Sequence, residues 1–269
     1  MLNMKQLKEY IVEGIFDTDE DTIDKHIKDQ IKQFLKDNFR GASSCKISSK
    51  PNIDGKYEVS SSKNIKAKNE KITSLTNNMF IWTAVGGDFI CDYCHSLTSL
   101  EGAPKEVGGN FNCEYCISLT SSEGAPEKVG GSFDCSGCYS LISLKGSPKE
   151  VGRDFSCASC KSLKSLEGTP KKVDGGFICL GCDLLTSLEG APKEVGGNFN
   201  CSMCKSLTSL DGAPKKVGGT FTCGGCRSLT SLDGTPKKVG GNFICEYCSI
   251  AFTIDDVKSI CNVKGKIYV

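Results

Sequence analysis

The residues of this sequence best suited to chemistry are cysteines arranged in Cys-x-x-Cys pairs. Sixteen of the eighteen cysteines belong to such pairs, and only Cys45 and Cys261 lie outside them. The pairs begin, at intervals of 22 residues, at Cys91, Cys113, Cys135, Cys157, Cys179, Cys201, Cys223 and Cys245. Thiolates at this spacing can bind zinc or exchange disulfides, whereas neutral thiols can fill an apolar core.

A zinc site needs four tetrahedral ligands, with Zn–S distances of about 2.3 Å. Pairs from two adjacent turns of a stacked repeat could supply them, since neighbouring strands lie about 4.8 Å apart. Zinc knuckles usually carry Gly or Pro after the loop, but the residue after the second cysteine here is His95, Ile117, Tyr139, Lys161, Asp183, Lys205, Arg227 or Ser249. We therefore favour buried thiols, the second of each pair donating weakly to a carbonyl of a neighbouring turn. This interpretation requires no metal and no cofactor, and a zinc-binding protein with stacked Cys-x-x-Cys sites is the alternative.

Each pair is one part of a 22-residue unit that also repeats Leu, Pro, Val-Gly-Gly and Phe. Phe and Cys at alternate positions predict a short strand with both side chains inward. Pro and paired Gly predict corners, and Leu97–Leu100 is expected to form a second strand on the opposite wall. A period without insertions predicts a stacked solenoid.

This spacing resembles the leucine-rich repeat, in the variant with Cys where Asn is usual. The string Leu-Thr-Ser-Leu-Glu-Gly-Ala-Pro-Lys-Glu-Val-Gly-Gly-Asn-Phe at residues 185–199 resembles a tandem repeat family of tailed-phage genomes, over about residues 85–250. The resemblance implies a leucine-rich-repeat-like solenoid and no established catalytic residues. The expected fold is a β-rich solenoid of the α/β repeat class, with short parallel strands, a helical N-terminal element and a small C-terminal cap.

Four segments follow from these patterns. Residues 1–42 are a helical N-terminal element, because Ile23, Ile27 and Ile31 have helical spacing and Leu7 and Ile11 suggest a preceding helix. Residues 43–64 are expected to be a linker or an N-terminal cap. Residues 65–252 are expected to form a solenoid of about eight coils, and residues 253–269 are expected to form a C-terminal cap. Thr253 is the expected N-cap of a helix there.

The segment from Met4 to Gly14 resembles the capsid-targeting segments of internal head proteins in T-even-type phages. Its end, Ile-Val-Glu-Gly, fits the pattern that their prohead protease cuts. The resemblance implies a processing site between Glu13 and Gly14.

The positions that vary between coils flank the predicted strand, where leucine-rich repeats usually bind partners on a concave sheet face. Tyr, Met and Arg are enriched among protein interface residues. The candidate binding residues are Ile90, Asp92, Tyr93, His95, Asn112, Glu114, Tyr115, Tyr139, Ile178, Leu180, Asn200, Met203, Arg227, Ile244, Glu246 and Tyr247.

A second surface feature is a basic column after the proline corner, formed by Lys105, Lys149, Lys171, Lys193, Lys215 and Lys237 and broken by Glu127. A parallel acidic column (Glu101, Glu123, Glu167, Glu189, Asp211 and Asp233) is expected to relieve its repulsion. The net charge of +1 argues against binding nucleic acid through bulk electrostatics. The chain has neither an apolar run that would span a membrane nor a secretory signal, so disulfides are not expected.

No set of nucleophile, base and orienting residue is apparent, since His26 and His95 lie in different regions. The sequence therefore predicts a non-enzymatic repeat protein that binds another protein. The expected partner is a virion component or a host factor. Its expected location is a phage virion or the host cytoplasm, and blocking a host defence is one version of the role. Besides the zinc-binding protein, the other alternative is a protein that sequesters anionic small molecules or nucleotides. The basic column is the feature that supports this alternative.

Overall fold

The computed structural model describes residues 20–68 and 70–269, which form a β-solenoid. Its longest sheet has eleven strands, parallel except for the antiparallel first pair. In spatial order they are β1 (Phe39–Arg40), β4 (Ile65–Ala67), β6 (Phe89–Ile90), β8 (Phe111–Asn112), β10 (Phe133–Asp134), β12 (Phe155–Ser156), β14 (Phe177–Ile178), β16 (Phe199–Asn200), β18 (Phe221–Thr222), β20 (Phe243–Ile244) and β22 (Ile267–Tyr268). We call it the long sheet, and it confirms the predicted short parallel strands.

The phenylalanines of the long sheet form a ladder inside the solenoid. From Phe89 to Phe243 each side chain is fully buried and pairs in register with the phenylalanine of the next coil. Successive rings stack at centroid distances of 5.1–5.6 Å. The constant length of the repeat is the cause, because it places identical residues side by side in parallel strands.

The opposite wall is built from a strand that ends in Val in nearly every coil. It comprises a six-stranded sheet of β2 (Cys45–Ile47), β3 (Tyr57–Ser61), β5 (Phe80–Val85), β7 (Glu106–Val107), β9 (Lys128–Val129) and β11 (Glu150–Val151), and a five-stranded sheet of β13 (Lys172–Val173), β15 (Glu194–Val195), β17 (Lys216–Val217), β19 (Lys238–Val239) and β21 (Asn262–Val263). We call these the Val sheets. Between Cys91 and Phe252 the described chain contains no helix.

The prediction that Leu97–Leu100 forms the second strand is wrong. Both leucines are buried, but the segment lies outside the strands. The Leu97 amide bonds locally to the Cys94 carbonyl at 3.0 Å. A spacing of three residues brings both side chains inward only if the backbone turns between them. A backbone that turns cannot continue the hydrogen bonding of a β-strand.

The Val sheets are interrupted between β11 and β13, at a coil that carries Asp174 where the neighbouring coils carry Gly. A Cβ placed on Gly152 would lie 2.2 Å from the Gly130 carbonyl oxygen, although in the last coil Lys264 occupies the equivalent position and its amide still donates to the Val239 carbonyl at 3.0 Å. The Gly152 amide donates to the Val129 carbonyl at 2.9 Å, but among the described contacts no equivalent bond joins Asp174 to Val151. At this interruption a cleft of about 580 Å³ lies between the two coils, and Asp174 is among its lining residues.

Helix α1 (Glu20–Asn38) and the aromatic residues that follow it close the N-terminal end. Ile27, Ile31 and Leu35 are buried, and Phe39 packs edge-on against Trp82 at 5.7 Å. Trp82 is itself buried, and its Nε1 donates to the Leu75 carbonyl at 2.9 Å. Trp82 is therefore a core residue of the cap.

Residues 43–64, expected to be a linker or an N-terminal cap, contain strands that join the solenoid. A 3₁₀ turn at Ala42–Ser44 leads into β2, which pairs with β3, and β3 pairs with β5 of the solenoid. The segment is therefore not a free linker. The proposed helix around Leu7 and Ile11 and the processing site at Glu13 and Gly14 lie outside the described residues.

Helix α2 (Ile254–Ile260) forms the C-terminal cap, followed by β21 and β22. Thr253 is its N-cap, as predicted: its Oγ1 accepts from the Asp256 amide at 3.1 Å, and its own amide donates to Asp256 Oδ2 at 2.8 Å. This reciprocal pair is a capping box, which satisfies amides that the helix leaves unbonded. Neither helix of the described chain is long and apolar enough to cross a membrane.

Candidate functional site

The Cys-x-x-Cys pairs face the interior and take part in the stacking of coils. Fifteen of the sixteen paired cysteines are buried, and Cys248 is half-buried. In seven coils the second thiol donates to the carbonyl of the first cysteine of the preceding coil, at 3.1–3.4 Å: Cys116 to Cys91, Cys138 to Cys113, Cys160 to Cys135, Cys182 to Cys157, Cys204 to Cys179, Cys226 to Cys201 and Cys248 to Cys223. This is the weak thiol–carbonyl bond that the sequence predicts.

Most of the paired thiols have a raised pKa, whereas the contact with Cys179 lowers the pKa of Cys204. Burial raises the pKa of Cys223 to about 11 and that of Cys226 to about 12. Metal binding and disulfide exchange both use the thiolate. Within residues 20–68 and 70–269, no three His, Cys, Asp or Glu side chains are grouped so that they could hold a metal ion.

Thiol labelling checks this arrangement. With an aromatic disulfide reagent at pH 8, we expect Cys45 and Cys248 to react first, because the other sixteen cysteines are buried, and all eighteen to react after unfolding. Metal analysis of protein purified under reducing conditions should give less than one zinc per chain. More than one tightly bound zinc per chain would overturn the assignment of these cysteines to packing.

The turn between the two cysteines of each pair has left-handed backbone geometry in all eight coils. Its φ values lie between 53° and 72° at Tyr93, Tyr115, Gly137, Ser159, Gly181, Met203, Gly225 and Tyr247. This conformation costs a residue with a side chain about 1–2 kcal/mol, whereas glycine adopts it freely. Three coils use glycine, yet Tyr93, Tyr115, Met203 and Tyr247 carry large side chains that are 36–87% exposed. The sequence shows the variation at this position but does not reveal its backbone cost.

Three of the candidate tyrosines form one cluster, which we call the tyrosine cluster. The Tyr93 and Tyr115 rings stack at 4.9 Å, and Tyr139 meets Tyr115 edge-on at 6.5 Å. The Tyr115 ring lies over Gly137, where an added Cβ would be 2.6 Å from Tyr115 Cδ1. His95 extends the cluster, 6.2 Å from the Tyr93 ring. Ile142, which does not flank the strand, is a further exposed apolar side chain outside the candidate positions.

Two carboxylates beside the tyrosine cluster lack a compensating cation. Glu114 Oε2 accepts from Asn112 Nδ2 at 2.8 Å, and Asp134 Oδ1 accepts from Ser136 Oγ at 2.5 Å. In the described chain neither carboxylate has an ion pair, whereas Asp92 is 3.1 Å from Lys66 Nζ. Burial, together with the charge of Glu114, raises the pKa of Asp134. This end of the face is aromatic and acidic.

The other end of the same face contains a groove and carries charges of both signs. Met203 and Tyr247 border a groove of about 470 Å³ that is also lined by Arg227. Lys161 and Lys205 both contact Asp183, at 3.1 and 3.2 Å. The remaining candidates lie on the outer side of the long sheet or in the turn after it: Ile90, Asn112, Ile178, Leu180, Asn200, Ile244 and Glu246.

The basic column runs along the corner before the Val sheets, and all six lysines are exposed. Backbone bonds join Lys193 to Lys171 and Lys215 to Lys193 at 2.9 and 3.0 Å, but in the described structure none joins Lys171 to Lys149. The column is therefore split by the interruption at Asp174. No lysine of the column has an ion pair with the acidic column among the described residues; Lys149 instead lies 3.7 Å from Glu127 of its own column.

No protein-family model, curated protein or solved structure matches this chain.

Proposed function

We propose that the chain is a non-enzymatic repeat protein that binds a protein partner through the outer side of the long sheet and the turn that follows it. One observation carries the proposal: Tyr93, Tyr115, Met203 and Tyr247 occupy left-handed positions that three other coils give to glycine. Stability alone would favour glycine at all eight positions. Large exposed side chains held there at a backbone cost support selection for contact with a partner.

The arrangement suits binding because much of it is fixed in advance. The turns are anchored by buried cysteines, and the Tyr93 and Tyr115 rings already stack on each other. Side chains that are ordered before association lose less entropy when a partner arrives. Glu114 and Asp134 make a basic segment the electrostatic complement of this end of the face.

The class of partner follows from the resemblance to phage repeats. We propose a virion component or a host factor, which places the protein in the virion or in the host cytoplasm. A rigid sheet face is suited to either partner, because binding requires complementary shape and charge and no catalytic residues.

The test replaces Tyr93, Tyr115, Met203 and Tyr247 by Gly together. We expect the free energy of unfolding to stay the same or rise, because the left-handed strain relieved at each position, about 1–2 kcal/mol, exceeds the chain-entropy cost of glycine, about 0.5–1 kcal/mol. Recovery of the partner from infected-cell lysate should fall at least tenfold. Denaturant unfolding and quantitative mass spectrometry measure the two effects.

Ser159→Gly is the matched control, since it makes the same backbone change without removing a large side chain. It should leave recovery of the partner unchanged. Glu114→Gln with Asp134→Asn should lower recovery about fivefold, the effect of one or two exposed ion pairs. Equal recovery of every protein by the native chain and the four-glycine variant would contradict the proposed function.

A further inference from the structure

A hollow of about 730 Å³ lies in the N-terminal cap, between α1 and the chain from Phe39 to Ser49. It is distant in sequence from the tyrosine cluster, and the proposed protein-binding face does not use it. Its volume falls within the range of about 300–1,000 Å³ typical of small-molecule sites.

The ionisable groups around the hollow are almost all cations. Lys28, Lys32, Lys36, Arg40 and Lys68 line it, and no Asp or Glu is among its described lining residues. The whole chain has 33 basic and 32 acidic residues, so this concentration of one sign is local. Five cations around one concave surface attract an anion.

Three of the five cations already have partners. Lys28 Nζ donates to the Ser49 carbonyl at 2.5 Å, Lys68 Nζ donates to the Lys36 carbonyl, and Lys32 Nζ lies 3.0 Å from Asp29 Oδ1. The Lys36 and Arg40 side chains are exposed, and among the described contacts neither has a hydrogen bond or ion pair. These two side chains are available to hold an anionic group.

The floor of the hollow is apolar. Ala42, Cys45 and Ile47 line it and are partly exposed, with Leu35 and Phe39 buried behind them. Burial raises the pKa of the Cys45 thiol to about 11, so this side chain is neutral near pH 7. A polar anion alone would leave this floor unused, and an uncharged apolar ligand would leave the cations unused.

We propose that the hollow binds a small anionic amphiphile, with a carboxylate or similar head at Lys36 and Arg40 and a hydrocarbon chain over Ala42, Cys45 and Ile47. Arg suits this role because its guanidinium can bind both oxygens of a carboxylate. The limited volume favours a single small molecule over a segment of a protein partner.

The test measures binding of decanoate, below its micelle concentration, to the full-length chain by titration calorimetry. Decanoate should bind at least tenfold more tightly than decanol or decyltrimethylammonium. It should shift the methyl resonances of Ala42 and Ile47 and slow the alkylation of Cys45. Lys36→Gln with Arg40→Gln should weaken binding about tenfold, whereas Lys215→Gln with Lys237→Gln, an equal charge loss on the solenoid wall, should not.

Equal binding of decanol, or unchanged affinity in the Lys36→Gln/Arg40→Gln variant, would overturn the proposal. So would binding of anionic phospholipid vesicles or of an acidic peptide without binding of decanoate, because the site would then recognise a membrane or a protein. The four-glycine variant of the long-sheet face should bind decanoate as the native chain does. The two proposals can therefore fail separately.

Discussion

Phe199→Ala is expected to lower the free energy of unfolding by about 3–5 kcal/mol, the usual cost of deleting a buried aromatic side chain. Phe199 is fully buried and stacks on Phe177 at 5.5 Å and on Phe221 at 5.4 Å. Its loss therefore leaves a cavity between two neighbouring rings. Denaturant unfolding monitored by circular dichroism measures the change.

The position of Phe199 in the array adds a second expected result. A solenoid is stabilised by contacts between adjacent coils, so weakening one central interface uncouples the two halves. The unfolding transition of the variant should therefore become broader or split into two.

Two control variants distinguish the stability contributed by the stacked phenylalanines from that contributed by the rest of the long sheet. Phe199→Leu keeps most of the volume and should cost about 1.5 kcal/mol or less. Thr222→Ala, on the outward position of the next strand, should change stability by about 0.5 kcal/mol at most. A loss below about 1 kcal/mol for Phe199→Ala would show that the ladder is not the principal core.

Gly218→Ala is expected to open a second interruption in the Val sheets. An added Cβ would lie 2.0 Å from the Gly196 carbonyl oxygen, so the backbone must shift there, and we expect the two central coils to separate. The bonds from Gly218 to Val195 and from Lys215 to Lys193, now 2.8 and 3.0 Å, would be lost. Two such bonds stabilise the fold by about 1–3 kcal/mol together, and loss of Val packing adds to the cost.

Asp174→Gly is the converse change. Without the Cβ of Asp174 the Val sheets can become continuous. We expect the free energy of unfolding to rise by about 1 kcal/mol, because two new backbone hydrogen bonds, about 1–3 kcal/mol together, exceed the entropy cost of glycine, about 0.5–1 kcal/mol. The side chain lost is exposed, and its contact with Lys172 at 2.7 Å adds little to stability. Amide hydrogen exchange at residues 171 and 174 should slow markedly.

Asp174→Ala is the matched control for this pair of changes. It removes the same charge but keeps the Cβ, so the cleft should stay open and exchange at residue 174 should remain fast. If Asp174→Ala stabilises the protein as much as Asp174→Gly, the charge of Asp174 and not its Cβ interrupts the sheets.

The candidate site was predicted in part. Comparison of coils identified the variable positions, and Tyr93, Tyr115, Met203 and Tyr247 were among them. Their left-handed backbone could not be predicted from spacing, because three glycines in eight coils are compatible with an ordinary turn. The stacking of Tyr93 on Tyr115 depends on Gly137 in the next coil, which is a contact between residues far apart in the chain.

The sequence alone determined that the coils stack in register, because an unvarying 22-residue period places each Phe beside a Phe and each Cys pair beside a Cys pair. It also determined that the cysteines face inward, since they share the strand's inner side with Phe. The tertiary structure decided which wall carries the second strand, where that wall is interrupted, and which cations surround the hollow. These features depend on distances between separate segments, such as the approach of one coil's glycine to a carbonyl of the preceding coil, and no local pattern specifies such distances.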